Sequence, residues 1–201
     1  MEKPLKILVS GYFNSGKSTL IQTMDETAIS IEKNLSNAQN NEKTSTTTGF
    51  DLGNVVWVRK DLDNKTNGVL MSEIEYQNKK DQFIEWHVKN IELKGCPGKS
   101  HFSIVRQIIS IGSVGVIFLI DGCDKNNIDN ALIVLEETKE VLGEKIPMVI
   151  IANKSDRKDF LGAEKVSELI GETVFEGSGK TKKGINEAII HISKLVLKNN
   201  V

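Results

Sequence analysis

The segment Gly11-Tyr-Phe-Asn-Ser-Gly-Lys-Ser18 has the pattern G-x-x-x-x-G-K-[ST] of a phosphate-binding loop. It follows an apolar run, Leu5–Val9, that predicts a strand, and it runs into a predicted helix, Lys17–Met24. In this setting, backbone N–H groups and the positive end of the helix dipole bind phosphate. We expect Lys17 to neutralise the β- and γ-phosphates and Ser18 to ligate Mg²⁺. We expect Thr19 to reach the α-phosphate. The predicted nucleotide-binding residues of this loop are Gly11, Asn14, Ser15, Gly16, Lys17, Ser18 and Thr19.

A second motif, Asn153-Lys-Ser-Asp156, indicates which base is bound. It follows the apolar run Met148–Ala152, so it lies at the carboxyl edge where α/β sheets bind ligands. The Asp156 carboxylate can accept two hydrogen bonds from the N1–H and amino groups of guanine, whereas adenine offers no such pair of donors. We therefore predict guanine specificity, with Asn153 and Lys154 in the same site; the alternative is a polar loop that merely turns the chain. The residues predicted to close over the base are Ser178, Gly179 and Lys180.

Around these motifs, short apolar runs alternate with helical periods, which predicts an α/β fold with a mostly parallel sheet. Because Trp86 and Val88 lie on the opposite parity from Ile91 and Leu93, we expect a bulge or a late strand start near Asn90. The predicted strands are Leu5–Val9, Val55–Val58 with a start as early as Phe50, a strand through Ile91 and Leu93, Val114–Ile120, Pro147–Ala152 and Thr173–Glu176. Later helices are predicted through Ile128–Leu142 and Ile185–Val196.

Two polar stretches do not fit a minimal layout of this kind. Residues 27–45 are rich in asparagine, and residues 60–82 are charged and contain the Asn67-Gly68 turn signal. Both are predicted to be long loops, inserted near 27–45 and 60–82, and loops of such length in a compact domain are usually functional or disordered.

Composition narrows the class of protein. The chain has 201 residues, which favours one domain, and a net charge of −1, which argues against a nucleic-acid surface. It contains no apolar run long enough to span a membrane and no secretory signal, so we expect a cytoplasmic protein. Neither end has a lipidation signal, so we expect no direct membrane anchor. Cys96 and Cys123 are too few for a disulfide framework or a metal cage. The histidines, which have no partner at metal-ligand spacing, are His87, His101 and His191.

With these motifs in order along the chain, the sequence resembles the Ras-like small GTPases. It is most similar to their Arf-like and prokaryotic branches, including archaeal relatives of signal recognition particle receptor β and MglA. Thr47-Thr-Gly-Phe-Asp51 looks like the Arf-type T-x-G-F-[ND] switch I, and this implies that Thr47 is an Mg²⁺ ligand, with Thr46 and Thr48 as neighbouring alternatives. The resemblance implies a three-layer α/β/α fold with a six-stranded sheet, GTP and GDP as ligands, and a protein effector or activating partner.

The next motif departs from the family. Most members have D-x-x-G-Q, and here the segment is Gly95-Cys-Pro-Gly-Lys99. Gly98 keeps the N–H that senses the γ-phosphate, but the aspartate that holds Mg²⁺ through water is replaced by Gly95. Either Asp51 or Asp121 could supply the missing carboxylate.

Lys99 stands where the family has the glutamine that orients the attacking water. A charged lysine cannot accept a hydrogen bond from water, so it can only place positive charge near the γ-phosphate. Only three of the 26 basic residues are arginine, namely Arg59, Arg106 and Arg157. Arg106 is the only one predicted near the γ-phosphate, and a residue at that place in a helix usually faces solvent or a partner. We therefore predict slow hydrolysis, assisted by a partner or by a second subunit of a homodimer.

Three readings of function remain open. The first is a guanine-nucleotide switch that hydrolyses GTP slowly. The second is a GTP-binding interaction protein that no longer hydrolyses it, which Gly95 and Lys99 favour. The third, a phosphoryl-transfer kinase, fits poorly because the base motif is present and no lid is evident. Asn14 also matches the spacing seen in potassium-stimulated GTPases, where it helps to hold K⁺ beside the phosphates, although the rest of switch I does not favour that branch.

Overall fold

The apolar runs of the sequence become the central strands of one mixed sheet. The computed structural model describes residues 3–35, 44–60, 68–97, 103–143 and 145–199. Within these ranges the strands are β1 (Leu5–Gly11), β2 (Ile29–Leu35), β3 (Thr44–Arg59), β4 (Val69–Ser72), β5 (His87–Gly95), β6 (Gly115–Asp121), β7 (Met148–Asn153) and β8 (Val174–Glu176). The α-helices are α1 (Lys17–Met24), α2 (Glu73–Lys79), α3 (Ser103–Ser110), α4 (Ile128–Leu142), α5 (Ala163–Ile170) and α6 (Ile185–Asn199).

The strand order is β2-β3-β5-β1-β6-β7-β8, with β4 also paired to β3. The pairs from β5 through β1, β6 and β7 to β8 are parallel, and β3 runs antiparallel to β2, β4 and β5. The predicted α/β class with a mostly parallel sheet is therefore confirmed. The expected count of six strands is wrong, because the described part of the sheet has eight.

Helices cover both faces of the sheet, which accounts for the near-continuous apolar runs of its central strands. One buried cluster joins α1 and α6 to side chains such as Ile7, Leu93 and Ile117. The cluster on the other face joins α4 and α5 to side chains such as Leu8 and Phe118. The three-layer arrangement places the carboxyl ends of β1, β6 and β7 at one edge of the sheet.

The two polar stretches are not simply loops. In the first, the described residues form β2 and the start of β3, an antiparallel pair in which Ile29 lies opposite Leu52. In the second, β4 pairs with β3, and α2 and a 3-10 helix (Lys80–Phe83) follow. Polar residues can line an edge strand or a solvent-facing helix, so low hydrophobicity alone did not exclude regular structure. Residues 36–43 and 61–67, including Asn37, Asn40, Asn41 and Asn67, lie outside the described residues.

The expected bulge or late start near Asn90 is also wrong. β5 begins at His87 and keeps an unbroken register with β3, from Arg59 opposite His87 to Asp51 opposite Gly95. The change of parity has another cause: Val88 is 39% exposed, and Trp86 lies before the strand begins. Ile91 and Leu93 belong to the cluster with α1, whereas Trp86, just before the strand, packs in a third cluster with Val56, Val58, Met71, Tyr76 and Phe83.

Candidate functional site

The loop between β1 and α1 has the backbone of a phosphate cradle. Gly11 and Gly16 adopt φ values of 141° and 96°, which side-chain-bearing residues rarely reach. A Cβ atom at Gly11 would lie 2.2 Å from the Leu119 carbonyl oxygen, and one at Gly16 would lie 2.3 Å from Asn153 Nδ2. Asn14 also has a positive φ, 61°, which asparagine tolerates better than most residues. Both glycines of the motif are therefore required by the packing of this loop.

Lys17, the first residue of α1, folds back over this loop. Its ammonium group donates to the carbonyl oxygens of Gly11 at 2.9 Å and Tyr12 at 2.8 Å, and to Ser15 Oγ at 3.3 Å. Burial lowers the pKa of Lys17 to about 8, because the charged form loses its hydration. Backbone carbonyl oxygens hold the ammonium group at the loop, although burial disfavours its charge. An anionic group bound at the loop would compensate for this loss of hydration.

Asp51 supplies a buried carboxylate next to Ser18. Ser18 Oγ donates to Asp51 Oδ2 at 2.8 Å, and Ser30 Oγ donates to Asp51 Oδ1. Asp51 is only 2% exposed and comes from β3, directly opposite Gly95 of β5. Of the two carboxylates that the sequence left open, Asp51 is thus the one that meets the Ser18 hydroxyl.

Gly95 makes room for this carboxylate. A Cβ atom at Gly95 would lie 2.9 Å from Asp51 Oδ2 and 2.8 Å from Ile21 Cδ1. The residue that departs from the family pattern is therefore the direct neighbour, across the sheet, of the carboxylate at Ser18. Serine hydroxyl and carboxylate oxygens are hard donors of the kind that Mg²⁺ prefers, so the donor set fits this ion.

The base motif begins on β7 and is joined to the phosphate loop through Asn153. Asn153 Nδ2 donates to the Ser15 carbonyl oxygen at 2.7 Å, and Asn153 Oδ1 accepts from the Gly179 backbone N–H, also at 2.7 Å. Asn153 is 2% exposed, so both bonds are shielded from water. One side chain therefore connects three predicted parts of the site, namely the phosphate loop, the β7 end and the Ser178–Lys180 segment.

The remaining members of the base motif surround an open cavity. Ser178 Oγ donates to Asp156 Oδ1 at 2.7 Å, and this bond lowers the pKa of the Asp156 carboxyl. The carboxylate therefore stays ionised and able to accept hydrogen bonds. The cavity has a volume of about 320 Å³, and its lining includes Gly16, Thr19, Asn153, Lys154, Asp156 and Lys180.

Asp121 serves a different part of the site from Asp51. Its carboxylate accepts from Lys154 Nζ at 2.6 Å, and it also accepts a longer bond, 3.4 Å, from Asn14 Nδ2. Lys154 has a positive φ of 71°, so its backbone is strained into position beside this ion pair. Asp121 thus joins the base motif to the phosphate loop.

Three predicted residues of the hydrolysis machinery lie partly or wholly outside the described residues. Thr47 lies in β3, opposite Glu32 of β2, and its side chain and those of Thr46 and Thr48 lie outside the described residues. Gly98 and Lys99 belong to residues 98–102, which also lie outside them. Their roles stay predictions.

The expectation that Arg106 faces solvent or a partner is wrong. Its side chain is 7% exposed and forms an ion pair with Glu137 of α4. The polar side of α3 faces inward here, which the apolar periodicity of that helix did not indicate. Arg157 lies in the base-side cavity and pairs with Asp159 at 2.8 Å, whereas Arg59 packs over the Trp57 ring at the far end of β3.

Neither cysteine is primed as a nucleophile. Burial raises the pKa of the Cys96 thiol, which lies 3.6 Å from Ser10 Oγ. Burial also raises the pKa of Cys123, to about 11, with the Asp159 and Asp121 carboxylates adding to the effect. His87 and His191 are exposed, and His101 lies outside the described residues.

Sequence reasoning missed the partners rather than the motifs. Ser30 came from a stretch predicted to be a loop, and no pattern linked Glu137 to Arg106. The conspicuous signal was Gly95, a glycine in place of a charged residue, which pointed to a carboxylate elsewhere. In the described part of the chain, no helix has both the length and the apolar character needed to cross a bilayer.

Comparison with known proteins gives independent information about the chain. A family model described as the Ras family matches residues 62–198, a stretch that contains the base motif and begins after the phosphate loop. The GTP-binding protein ypt2 of Schizosaccharomyces pombe is 23% identical over 132 residues, which cover 59% of this chain and 66% of that protein. The Ras-related protein Rab-21 of Geodia cydonium is 27% identical over 166 residues, which cover 73% of this chain and 71% of that protein.

A third relative is the GTP-binding nuclear protein GSP1 of Encephalitozoon cuniculi. It is 23% identical over 159 residues, which cover 72% of this chain and 71% of that protein. The chain thus spans between about half and 71% of the length of the curated relatives it matches.

Proposed function

Because the chain belongs to the Ras family of small GTPases, we propose that it is a guanine-nucleotide switch that binds GTP and GDP with Mg²⁺ and hydrolyses GTP slowly when alone. The observation that carries this proposal is the Asn153 side chain, which bonds both the phosphate loop at Ser15 and the base-closing segment at Gly179. This side chain joins the segment that would receive the phosphates to the segment that would cover the base.

Different groups of the chain bind the phosphates and the base. Backbone N–H groups of the Gly11–Ser18 loop and the Lys17 ammonium group receive the phosphates. Asp156, held ionised by Ser178, accepts the two guanine donors. Ser178, Gly179 and Lys180 lie over the base.

Ser18 and Thr47 would hold Mg²⁺ directly, and Asp51 would hold it through a water molecule in place of the family's aspartate. The ion supplies charge that neutralises the β- and γ-phosphate oxygens. Support for Asp51 comes from its buried hydrogen bond with Ser18 and from the space that Gly95 leaves for it. Asp121 is less suited, since it is paired with Lys154 on the base side.

Hydrolysis is in-line attack by water on the γ-phosphate, with no covalent intermediate. Lys17 and Lys99 stabilise the charge of the transition state, and the Gly98 N–H contacts the γ-phosphate. Lys99 cannot accept a hydrogen bond from the attacking water, and Arg106 is held by Glu137. A protein partner, or a second copy of the chain, supplies the missing group.

Single-turnover hydrolysis of preloaded GTP tests this proposal. We expect the slow rates of an unassisted GTPase, and a faster rate for Lys99→Gln because glutamine can hydrogen-bond the attacking water. A fast unassisted rate in the native chain would contradict the proposal. The exposed Lys165→Gln variant is the control, and it should match the native chain.

The second candidate is a GTP-binding interaction protein without hydrolysis, and the Gly95 and Lys99 substitutions favour it. Phosphate release under saturating GTP and Mg²⁺, with and without candidate partners, separates the two. Competition among GTP, ATP and GDP for the site tests guanine selection and the kinase alternative together. The Thr47–Asp51 segment supports an Arf-like position within the family, and a cytoplasmic location remains part of this proposal.

Potassium is a further candidate ligand beside the phosphates. Asn14 Nδ2 faces the Asp121 carboxylate, so a cation at Asn14 would lie near a negative charge that Lys154 already partly neutralises. Hydrolysis rates measured in KCl and in NaCl test whether potassium binds at Asn14 and assists hydrolysis. Equal rates would exclude a potassium requirement.

A further inference from the structure

The buried carboxylate of Asp51 is held from two sides. Its Oδ2 atom accepts from Ser18 Oγ of α1 at 2.8 Å, and its Oδ1 atom accepts from Ser30 Oγ of β2. Asp51 is only 2% exposed, so water has little access to either oxygen. A carboxylate that accepts a hydrogen bond at each oxygen cannot turn about its Cβ–Cγ bond without breaking both. Ser30 therefore helps to decide which oxygen of Asp51 faces Ser18.

A second buried carboxylate, Asp25, fixes the start of the strand that carries Ser30. Asp25 follows α1 directly and is also 2% exposed. Its Oδ1 atom accepts from the Thr27 backbone N–H at 2.9 Å and from Thr27 Oγ1 at 2.6 Å, and its Oδ2 atom accepts from the Asn54 backbone N–H at 2.7 Å. The chain that enters β2 is thereby joined to β3 just before Ser30.

Beyond Ser30, the pairing of β2 with β3 becomes irregular. Ser30 lies opposite Asp51, and the next printed pair joins Glu32 to Thr47, so β3 has three residues between these pairs where β2 has one. A bulge of this kind redirects side chains, and bulges are frequent next to active sites. Ser30 is thus the last residue of β2 in regular register with the part of β3 that reaches the site.

We propose that Ser30 is a positioning residue for Mg²⁺: its hydroxyl keeps the Asp51 carboxylate turned toward Ser18, and the ion is held more tightly as a result. This inference rests on the proposed function, in which Ser18 and Asp51 belong to the Mg²⁺ site. Without the Ser30 hydroxyl, a charged oxygen of Asp51 would lose its donor while buried, and that is costly. The carboxylate would turn toward other donors, and Oδ2 would leave Ser18.

The Mg²⁺ dependence of nucleotide release tests this proposal. Fluorescent GDP is loaded onto the full chain, and its release rate is measured over a range of free Mg²⁺ concentrations and in EDTA. We expect Ser30→Ala to need about threefold to tenfold more Mg²⁺ for half-maximal retention, because a hydrogen bond to a charged group is lost. Its release rate in EDTA should equal that of the native chain. If Ser30 served only the fold, release would be faster in EDTA as well, and this result would overturn the proposal.

Thr27→Ala is the matched control for Ser30→Ala. It too removes a hydroxyl donor from a buried carboxylate in the same segment, but at Asp25 and away from Ser18. We expect it to keep the Mg²⁺ requirement of the native chain. An equal shift in both variants would contradict the proposal, since a general loosening of the segment would then explain the two results.

Two β-branched replacements separate the hydroxyl of Ser30 from the shape of the side chain. Ser30→Thr keeps a hydroxyl, whereas Ser30→Val puts a methyl group of similar size in its place, and both residue types suit a strand. Ser30→Thr should keep a nearly native Mg²⁺ requirement, and Ser30→Val should behave like Ser30→Ala. If the threonine and valine variants need the same Mg²⁺ concentration, the hydroxyl has no such role.

A double variant tests whether Ser30 acts through Asp51. Adding Ser30→Ala to Asp51→Asn should change the Mg²⁺ requirement little further, because the oriented carboxylate is already absent. Fully additive effects would mean that Ser30 acts by another route, and the proposal would fail.

The same measurements distinguish failure of this inference from failure of the proposed function. If Mg²⁺ slows GDP release equally in the native chain and in Ser30→Ala, the positioning role is excluded and the proposed function stands. If the native chain does not bind GDP, or releases it at a rate independent of Mg²⁺, the proposed function fails and the positioning role fails with it.

Discussion

The side chain of Asp51 occupies space that only a glycine at position 95 leaves open. The two residues lie directly opposite each other on β3 and β5, and side chains at such positions compete for the same space. With a carboxylate at 51, a side chain at 95 would collide with it, as the 2.9 Å approach to Asp51 Oδ2 demonstrates. The carboxylate beside Ser18 therefore comes from β3, and the opposite position on β5 has no side chain.

We predict that Asp51→Asn weakens Mg²⁺-dependent nucleotide retention by about tenfold or more, equivalent to about 1.4 kcal/mol. Moving the carboxylate to the other strand, in the double variant Asp51→Gly/Gly95→Asp, should recover part of the loss. The measurement is the release rate of fluorescent GDP in Mg²⁺ and in EDTA. Asp129→Asn, at an exposed position in α4, is the control. Release from Asp51→Asn at the native rate in Mg²⁺ would exclude the role assigned to this carboxylate.

Lys17 is expected to lower the stability of the nucleotide-free protein. Its pKa is about 8 in the folded chain against an ordinary 10.5, so between these values the unfolded chain holds a proton that the folded chain does not. Stability therefore rises with pH across this window. Lys17→Met should raise the free energy of unfolding by about 1 to 3 kcal/mol at pH 7, because a buried cation is replaced by an apolar chain of similar length.

Chemical denaturation at pH 7 and pH 9.5 checks the Lys17 prediction. The advantage of Lys17→Met over the native chain should shrink at the higher pH, and nucleotide binding should be lost at both. Lys165→Met, at an exposed position, should stay within about 0.5 kcal/mol of the native chain. A difference that grows with pH would have the wrong sign for a lysine with a lowered pKa.

At the scale of single residues, the motifs were predictable and their partners were not. Lys17 and Ser18 begin α1 and Asn153 ends β7, as the positions of the motifs predict, while their roles in nucleotide binding stay predictions. The Ser18–Asp51 and Arg106–Glu137 contacts join residues far apart in the chain, and no local pattern encodes such pairings.

The long strand β3 is the element that organises one end of the molecule. Its first part pairs with β2, its second part pairs with β4, and its other edge pairs with β5. Strands β1, β6 and β7 could be predicted because burial on both faces makes most of their residues apolar. β2 and α2 could not, since they are rich in polar residues, and β4 could not, since it has only four residues.

The third apolar cluster, which α2 and the Lys80–Phe83 helix build over β3, should contribute stability without contributing to nucleotide binding. Phe83 packs edge-to-face on Trp86 with ring centroids 5.2 Å apart. We expect Phe83→Ala to lower the free energy of unfolding by about 1 to 3 kcal/mol, less than for a fully buried ring. GDP affinity should be unchanged. Denaturation and fluorescent-GDP titration measure the two effects.

The matched control for Phe83→Ala is Ile84→Ala. Ile84 is 81% exposed, so its truncation should change stability by no more than about 0.5 kcal/mol. If Phe83→Ala reduced GDP affinity severalfold in a folded protein, the cluster would be coupled to the site.

For the molecule as a whole, ligand binding and folding are linked because the site draws on β1, α1, β3, β7 and the segment after β8. GDP with Mg²⁺ at about a thousand times its dissociation constant should raise the free energy of unfolding by about 4 kcal/mol. ADP at the same concentration should have little effect. Thermal unfolding with each nucleotide tests this, and Asp156→Ala should reduce the GDP effect. An equal shift with ADP would contradict guanine selection.

The overall class of fold could be predicted because alternating apolar strands and helices leave few arrangements of the chain. The sheet order at the β3 end could not, since it depends on antiparallel pairings that the polar stretches concealed. The one-domain prediction stays a prediction, as do the roles of Thr47, Gly98 and Lys99.

The unequal ends of the sheet limit how copies of this chain can assemble. Among the described strands, β2 offers seven residues at one edge, whereas β8 offers three at the other. Strand addition is therefore favourable at one end only. Two copies joined there by a two-fold axis would form a continuous sheet of twice eight strands that ends in β8 on both sides, with the four-residue β4 of each copy as the other short edge. Such an assembly is closed, so any self-association through the sheet stops at a pair and does not grow into a filament.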